Sequence, residues 1–432
     1  MSFGFQMQFC FPSQGSTRQT RPLSVGYVAT GATALLLAFA GIAAQGQRKL
    51  SLHEAIQQAQ NSPAAHIAQS QVDAVQGQIK QASLRPNPRL YLQSEDLRPW
   101  SNNFDFANNT EDYGYVGQLI EMGGKRSNRL QLANANLRRT EADRSLQMQQ
   151  LAGRVAANYW NAASTARISE LLQQDLTAVD AMVSYHKERV ESGAMRGVDL
   201  LRMQIERDRL LITLEAARRE AALARVELAR QIGQPLGSDV ELTDSIDVLE
   251  TVPKQDISVV LAQRADVAAA REAVAAAEAD LKLQKSLGVP DFDLLGGYKR
   301  NSGADTLYSA LQIPLPIGNR NQGEVQRAQA NIQIAHAQLQ QVTLTVQADI
   351  TAATEAYTRE QEIVQKTLPD MRSHAKDNLA ILSDAYKTGG VDLLRYIDAE
   401  RTEIDVEVNA LRTLSEFHQT AVRLQLAYGV QP

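Results

Sequence analysis

The sequence predicts a mainly α-helical protein that carries two β-hairpins, built as one long unit used twice, with strands suited to a membrane wall. Three observations lead there. The hexapeptide Gly197-Val198-Asp199-Leu200-Leu201-Arg202 returns 193 positions later as Gly390-Val391-Asp392-Leu393-Leu394-Arg395. Each half holds two short stretches whose apolar residues alternate with period two, the signature of a strand. Each half also holds a very long run with an apolar seam stepping by threes and fours, the signature of helices packed along their length.

The duplication has further anchors. Gln118, Gly124 and Arg126 match Gln312, Gly318 and Arg320 at an offset of 194, and Ala133 to Leu137 resembles Ala328 to Ile332 at 195. The order is kept and the spacing drifts by only one or two residues. The period is far too long for a solenoid, so each copy is a whole substructure. The expected layout is a signal peptide over 1–46, a first repeat over 47–253 and a second over 254–432.

In chain order, Arg18 and Arg21 precede an apolar, alanine-rich stretch from Val25 to Ala44, and small residues follow at Ala43, Ala44 and Gly46. This reads as an export signal with cleavage. An N-terminal membrane anchor is the alternative, because the stretch is nearly long enough to span. Leu52 to Leu84 reads as helix broken at Asn61-Ser62-Pro63, with Ser62 as cap and Pro63 in the first helical position. Arg85-Pro86-Asn87-Pro88 ends it, since a residue before proline avoids helical geometry.

The first hairpin is expected over 89–120. Leu90, Leu92 and Ser94 share one face, with Tyr91, Gln93 and Glu95 opposite; Tyr113, Tyr115, Gly117 and Leu119 alternate with Gly114, Val116, Gln118 and Ile120. The second is expected over 291–313, where Phe292, Leu294, Gly296 and Tyr298 alternate, then Leu307, Ser309, Leu311 and Ile313. Strands of this length fit a bilayer crossing. A soluble four-stranded sheet fits the alternation equally well. Export, and aromatics near the strand ends (Trp100, Tyr113, Tyr298, Tyr308), favour the membrane.

A glycine-bearing turn follows each hairpin, with Gly124 and Arg126 in one copy and Gly318 and Arg320 in the other. The long helix and its return are expected over 126–231 and 321–429. Leu172, Leu176, Val179, Val183, His186 and Val190 form the first seam, and Leu339, Val342, Val346, Ile350, Ala353 and Tyr357 the second. A continuous helix of about 65 residues would extend roughly 100 Å and needs a neighbour along its length. Pro369 predicts a kink. Glycine turns (Gly193 to Gly197; Gly389, Gly390) end the long helices, and the repeated hexapeptide opens the returns. Asp199 and Asp392 fall where a carboxylate complements the helix dipole, so helix capping and a functional role both remain open. The seam of the last helix is expected at Leu394, Ile397, Ile404, Val408 and Leu411. Between the halves, 232–253 is a linker. A helix follows over 257–287, so rich in alanine from Ala268 to Ala279 that it must pack closely.

Composition excludes several classes. Net charge is −5 and the pI about 5.8, which leaves no basic footprint for nucleic acid. Cys10 is the only cysteine and precedes the apolar stretch, so no disulfide, thiolate metal site or cysteine nucleophile is expected after cleavage. No nucleotide-binding glycine loop, nucleophile elbow or zinc pattern is present. The six histidines are scattered, with no pair three or four apart on a helix. No enzymatic activity, cofactor or metal centre is expected.

The whole set of motifs resembles the TolC-type outer membrane efflux proteins, and within them the CzcC-like branch of heavy-metal efflux systems. The residues that carry the resemblance are Leu84-Arg85-Pro86-Asn87-Pro88, Ile120-Glu121-Met122-Gly123-Gly124-Lys125-Arg126, Pro314-Leu315-Pro316, Arg320-Asn321-Gln322-Gly323 and Gly389 through Ala399. It implies a homotrimer in which each protomer gives four strands to one 12-stranded outer membrane β-barrel, continued by a long periplasmic α-helical barrel. A separate argument agrees: four strands cannot close a wall with a lumen, and open edges cannot remain in lipid.

The resemblance also implies partners, namely a periplasmic adaptor and an inner-membrane RND-type pump. It places docking for the adaptor at the tip turns, Gly193, Gly197, Val198, Gly389, Gly390 and Val391. It places the periplasmic aperture at Asp392, Arg395, Asp398, Asp199 and Arg202. Asp398 matches an acid that lines the family's constriction; Arg395 stands where relatives often carry another acid. The expected function is passive conduction of substrate, divalent heavy-metal cations ahead of others. The same duct serving a drug or type I protein-secretion pump is the alternative, and a periplasmic coiled-coil scaffold is the alternative of another class.

Overall fold

The computed structural model describes residues 49–237 and 240–432; the export segment expected over 1–46 lies outside the described residues. The chain begins with a two-residue strand, β1 (Lys49–Leu50), and two helices, α1 (Leu52–Ala59) and α2 (Pro63–Ser83). Ser51 closes a capping box with Glu54. Ser62 caps α2 through the Ala65 N–H, with Pro63 at its first position, so the break falls where the sequence places it. The first hairpin is β2 (Arg89–Glu95) and β3 (Glu111–Ile120), with a one-turn helix, α3 (Phe106–Asn109), in its connection.

From the hairpin the chain enters α4 (Lys125–Glu191) and returns as α5 (Gly197–Ile232). The linker contains β4 (Glu241–Leu242), which pairs in parallel with β1. The second copy has α6 (Ile257–Gln263), α7 (Ala265–Leu287), β5 (Phe292–Asn301), β6 (Ala304–Gln312), α8 (Gln322–Glu362), α9 (Leu368–Lys387) and α10 (Leu393–Ala427). A π turn, Ile363–Thr367, joins α8 to α9. It sits just before Pro369, which lacks an N–H and whose ring would strike the carbonyl four residues back; one extra residue in the turn relieves both. The expected kink therefore takes the form of a π bulge.

The helical core follows the predicted seams. Leu172, Leu176, Val179 and His186 are buried on α4, and Val346, Ile350 and Tyr357 on α8. Each such aliphatic side chain contributes about 1.5–3 kcal/mol by leaving water. The alanine-rich α7 packs between α4 and α8, as its composition requires. Gly153 lets α10 close on α4, because a Cβ there would strike the side chain of Leu426.

Three details differ from the sequence reading. The helix expected unbroken over 257–287 breaks at Arg264, whose ψ of 128° is extended. Its guanidinium donates to the Leu426 and Ala427 carbonyls at 2.8 and 2.9 Å, satisfying the end of α10. On α10 the seam starts at Leu393, which is buried, whereas Leu394 is exposed. Asp392 is the cap, so α10 begins at Leu393, three residues later in the repeat than α5, which begins at Gly197. The linker is not free: the Tyr159 hydroxyl lies 2.6 Å from Asp244 Oδ2 and 3.0 Å from the Leu50 carbonyl, and Tyr357 accepts from the Val252 N–H at 3.1 Å. These bonds were invisible locally because their partners are about a hundred residues apart.

The four long strands form one antiparallel sheet in the order β2-β3-β5-β6. The two hairpins thus join through β3 and β5, in a register that places Tyr115 opposite Gly297. Among the described residues, β2 and β6 have no outer neighbour, so both sheet edges are open. No helix of the described residues is long and apolar enough to cross a membrane.

Candidate functional site: the strand wall and the helical tip

Register sorts the strands into two unlike faces. Leu90, Leu92, Val116, Leu294, Leu307 and Leu311 lie on one, all exposed. Tyr91, Tyr113, Tyr115 and Tyr308 lie on the other. There Tyr91 stacks on Tyr115 with ring centres 4.8 Å apart, and Tyr308 meets Tyr115 at 4.9 Å and Tyr113 at 5.7 Å. Lys299 pairs with Glu111 at 2.8 Å on that same face and sits over the Tyr113 ring. The interfacial placement expected for Tyr113 and Tyr308 is thus corrected. Both point to the polar face, because the period-two pleat fixes their side. Trp100 is exposed, as an interfacial residue would be, whereas Tyr298 is exposed on the leucine face directly opposite Leu307.

The strand-to-helix turns are held by backbone geometry and side-chain bonds. Gly123 and Gly124 both adopt positive φ, 66° and 73°, which only glycine takes without strain. A Cβ on Gly123 would also meet Val289 at 2.9 Å. Lys125, nearly fully buried, pairs with Asp291 at 2.7 Å, and Asp291 accepts from the Met122 N–H at 2.8 Å. Arg126 donates to the Ser83 carbonyl at 2.6 Å, and Arg129 grips Glu121. In the second copy Arg320 donates to Pro316 at 3.2 Å, Asn321 takes the left-handed turn with φ of 61°, and Gly318 is open to solvent. These contacts fix where each long helix leaves the sheet.

At the far end both helical hairpins close with the same turn. Gly193 and Gly389 have φ of 73° and 78°. Ala194 N–H reaches the Arg189 carbonyl at 2.8 Å, and Gly390 N–H reaches Ala385 at 2.7 Å, the paired bonds of a Schellman turn. The repeated hexapeptide then diverges. Asp392 caps α10, accepting from the Arg395 N–H at 3.0 Å. Asp199 instead lies inside the first turn of α5, only 9% exposed, and pairs with Arg196 at 3.3 Å. Capping thus accounts for Asp392 and dipole pairing for Asp199. Arg202, Arg395 and Asp398 are exposed, as are Gly193, Gly197, Val198, Gly389 and Gly390, and Val391 is half-buried.

Just above the turns the two hairpins meet through groups that local reading passed over. His186, 0% exposed, lies 2.6 Å from the Tyr386 hydroxyl, and Tyr386 stacks on Tyr396. Higher up, α10 brings Glu400 toward Asp175 of α4 and Glu206 of α5. Among the described residues no group of three or more His, Cys, Asp or Glu is arranged to hold a metal ion. The sequence did carry a signal for the acids: each sits in register with buried apolar residues of its helix.

A four-stranded sheet with one apolar exposed face and two open edges, carried on helical hairpins of this length, defines the protomer of a barrel extended by a helical tube. The chain belongs to the outer membrane efflux protein family, whose model matches residues 53–234 and 257–430. It is similar to the cobalt-zinc-cadmium resistance protein CzcC of Cupriavidus metallidurans, 23% identical over 367 residues, covering 84% of this chain and 85% of that protein. Among solved structures, the open state of the Neisseria gonorrhoeae MtrE outer membrane channel superposes with a TM-score of 0.75 at 20% identity, over 88% of this chain and 89% of that one. CusC superposes with a TM-score of 0.74 at 18% identity, over 88% and 92%. The TolC-type resemblance and the duplicated, mainly helical fold expected from the sequence are borne out.

Proposed function

We propose that this efflux channel is a homotrimer in the outer membrane of a Gram-negative bacterium. On this reading it is the exit duct of a tripartite system that passes divalent heavy-metal cations received from an inner-membrane RND-type pump. The observation that carries the duct is the wall itself. The sheet exposes Leu92, Leu307 and Leu311 on one face, and among the described residues β2 and β6 have no outer partner, which supports that face as the lipid side. Three copies joined edge to edge make a twelve-stranded wall, an even number in the usual range, with no edge left in lipid. A further apolar stripe on α5, Leu201, Ile205, Ile212, Leu223 and Val226, is exposed in the single chain and suits the flank of a neighbouring copy. The likeness to CzcC supports metal cations as cargo.

The tip turns at Gly193, Gly197, Val198, Gly389, Gly390 and Val391 are the docking surface for a periplasmic adaptor in this reading. Asp398, with Arg395, Asp392 and Arg202 nearby, borders the aperture. Exposed carboxylates at a constriction raise local cation occupancy, as acid rings do in channels. Deleting the gene is expected to sensitise the cell to cobalt, zinc or cadmium salts. Sensitisation to apolar drugs with unchanged metal tolerance overturns the cargo and leaves the duct. In planar bilayers, Asp398→Ala is expected to lower cation preference and change conductance, and identical traces would remove Asp398 from the aperture.

A further inference from the structure

Each return helix carries a Glu-Arg pair, Glu206-Arg207 and Glu400-Arg401, one residue out of step with the offset of the hexapeptide. Both glutamates occupy core positions. On α5 the buried series is Asp199, Met203, Glu206, Leu210 and Leu214; on α10 it is Leu393, Ile397 and Glu400. A carboxylate in such a seam is unfavourable unless a cation meets it. Glu206 is met, since Arg401 crosses from α10 with its Nε 2.8 Å from Oε1 and a second contact to Oε2. The other arginine does not repeat this. Arg207 turns to Asp180 at 2.8 Å and Asp208 at 3.1 Å.

Glu400 is consequently left without a salt bridge among the described residues. It is 8% exposed, and its Oε2 is buried with no hydrogen-bond partner. Asp175 Oδ2 on α4 is buried and unpartnered in the same way. The other charged groups of this region do not neutralise the pair. Glu206 and Glu403 add negative charge to Glu400, and Glu403 and Glu407 add it to Asp175. Arg401 is taken by Glu206, and Arg372 of α9 by Glu407 at 2.7 Å and Asp247 at 3.3 Å. Lys376 of α9 acts on Glu403, and the Tyr396 phenol is the remaining neighbour. Burial first, then Asp175, Glu206 and Glu403, push Glu400 up to about 7. Burial first, then Glu403 and Glu407, push Asp175 up to about 6.

We propose that Glu400 and Asp175 form a proton-operated latch between the two helical hairpins, which seats α10 on α4 when protonated and drives the hairpins apart when ionised. The proton is the counter-ion here because the acids are not laid out to hold a metal. A carboxyl whose packed-state value is raised binds its proton more tightly when packed. The packed arrangement is therefore favoured in acid, and that advantage is lost as pH climbs from the ordinary carboxylate range through about 7. Glu400 lies about two helical turns in from the start of α10, close enough to the tip for its ionisation to loosen the closing turns. The consequence rests on the duct reading: the channel seals as its surroundings acidify.

The test uses the detergent-purified protein, spin-labelled at Ala194→Cys and Thr388→Cys, one in each tip turn. Pulsed electron spin resonance reads the separation of the turns at about pH 5.5 and about pH 8. Each displaced pH unit carries about tenfold in the linked equilibrium, so the separated population is expected to rise by about tenfold or more at the higher pH. Glu400→Gln, nearly isosteric, is expected to hold the short separation at both, and Asp175→Asn to act in the same direction. A separation indifferent to pH overturns the latch, as does a Glu400→Gln profile matching the wild type. A Glu400→Gln protein that loosens or dissociates also overturns it, because Glu400 would then be an ionised partner of a cation from a neighbouring copy. Bilayer conductance of the same preparations reads the duct separately. Conductance with a flat separation profile removes only the latch, whereas pH-dependent separation without conductance removes only the duct.

Discussion

Replacing Leu307 with lysine is expected to empty the outer membrane of assembled protein. Leu307 stands near the middle of β6 and is 93% exposed, on the face shared with Leu92, Leu294 and Leu311. In water such a face would be a liability for aggregation. In lipid it is the required surface. A lysine at the bilayer midplane costs about 2–4 kcal/mol, a large part of the margin by which a protein is stable. A second lysine at Leu92, on the other edge strand, should add to it. The measurement is the fraction of chain recovered from outer membranes as a heat-modifiable trimer. Ala310→Lys, on the tyrosine-bearing face, is the control and should assemble while altering conductance. If Leu307→Lys assembles as well as the wild type, the strands form a water-exposed sheet and the coiled-coil scaffold reading replaces the duct.

Gly297→Val is expected to abolish assembly outright. Gly297 lies on β5 opposite Tyr115 of β3 and Tyr308 of β6. A Cβ there would lie well inside van der Waals contact of the Gly114 carbonyl oxygen and of Tyr115. Those atoms are backbone and the Cβ of Tyr115, whose ring is already packed against Tyr91 and Tyr308, so nothing flexible can yield. Overpacking a core typically costs 1–3 kcal/mol. Here it forces open the one pairing that joins the two hairpins, and the protomer loses its continuous sheet. Gly296→Ala tests the argument one residue away. A Cβ on Gly296 meets nothing within 4 Å, and that protein should assemble normally. Equal assembly of the two variants, measured by trimer yield, would show that the β3–β5 junction tolerates a side chain and is not the link the register implies.

Much of the fold was legible in the sequence because its signals are local. Period-two alternation set the faces of Leu90, Leu92 and Val116 without reference to any partner. Ser62-Pro63, Arg85-Pro86 and the glycines of the tip turns mark their breaks through their own backbone preferences. The candidate site was legible only in part. The tip turns and the duplicated hexapeptide were visible, but identical residues there do different work. Asp392 caps a helix and Asp199 sits buried against Arg196, because α5 starts three repeat positions earlier than α10 and takes its aspartate inside the first turn. Glu400 carried its own clue, an acid at a seam position, which was obscured when the seam was started at Leu394 instead of Leu393.

The sequence by itself determined the repeat, the two hairpins, the long helices and their turns, since each depends on residues within a turn or two of one another. Only the tertiary structure decided that β3 pairs with β5, that Tyr113 and Tyr308 share the face opposite the leucines, that Arg264 breaks a helix to close another, and that Arg401 finds Glu206 while Glu400 finds no cation among the described residues. Those outcomes join positions far apart in the chain. Their energies depend on which charge or side chain arrives from the other copy of the unit, and neither repeat encodes that alone.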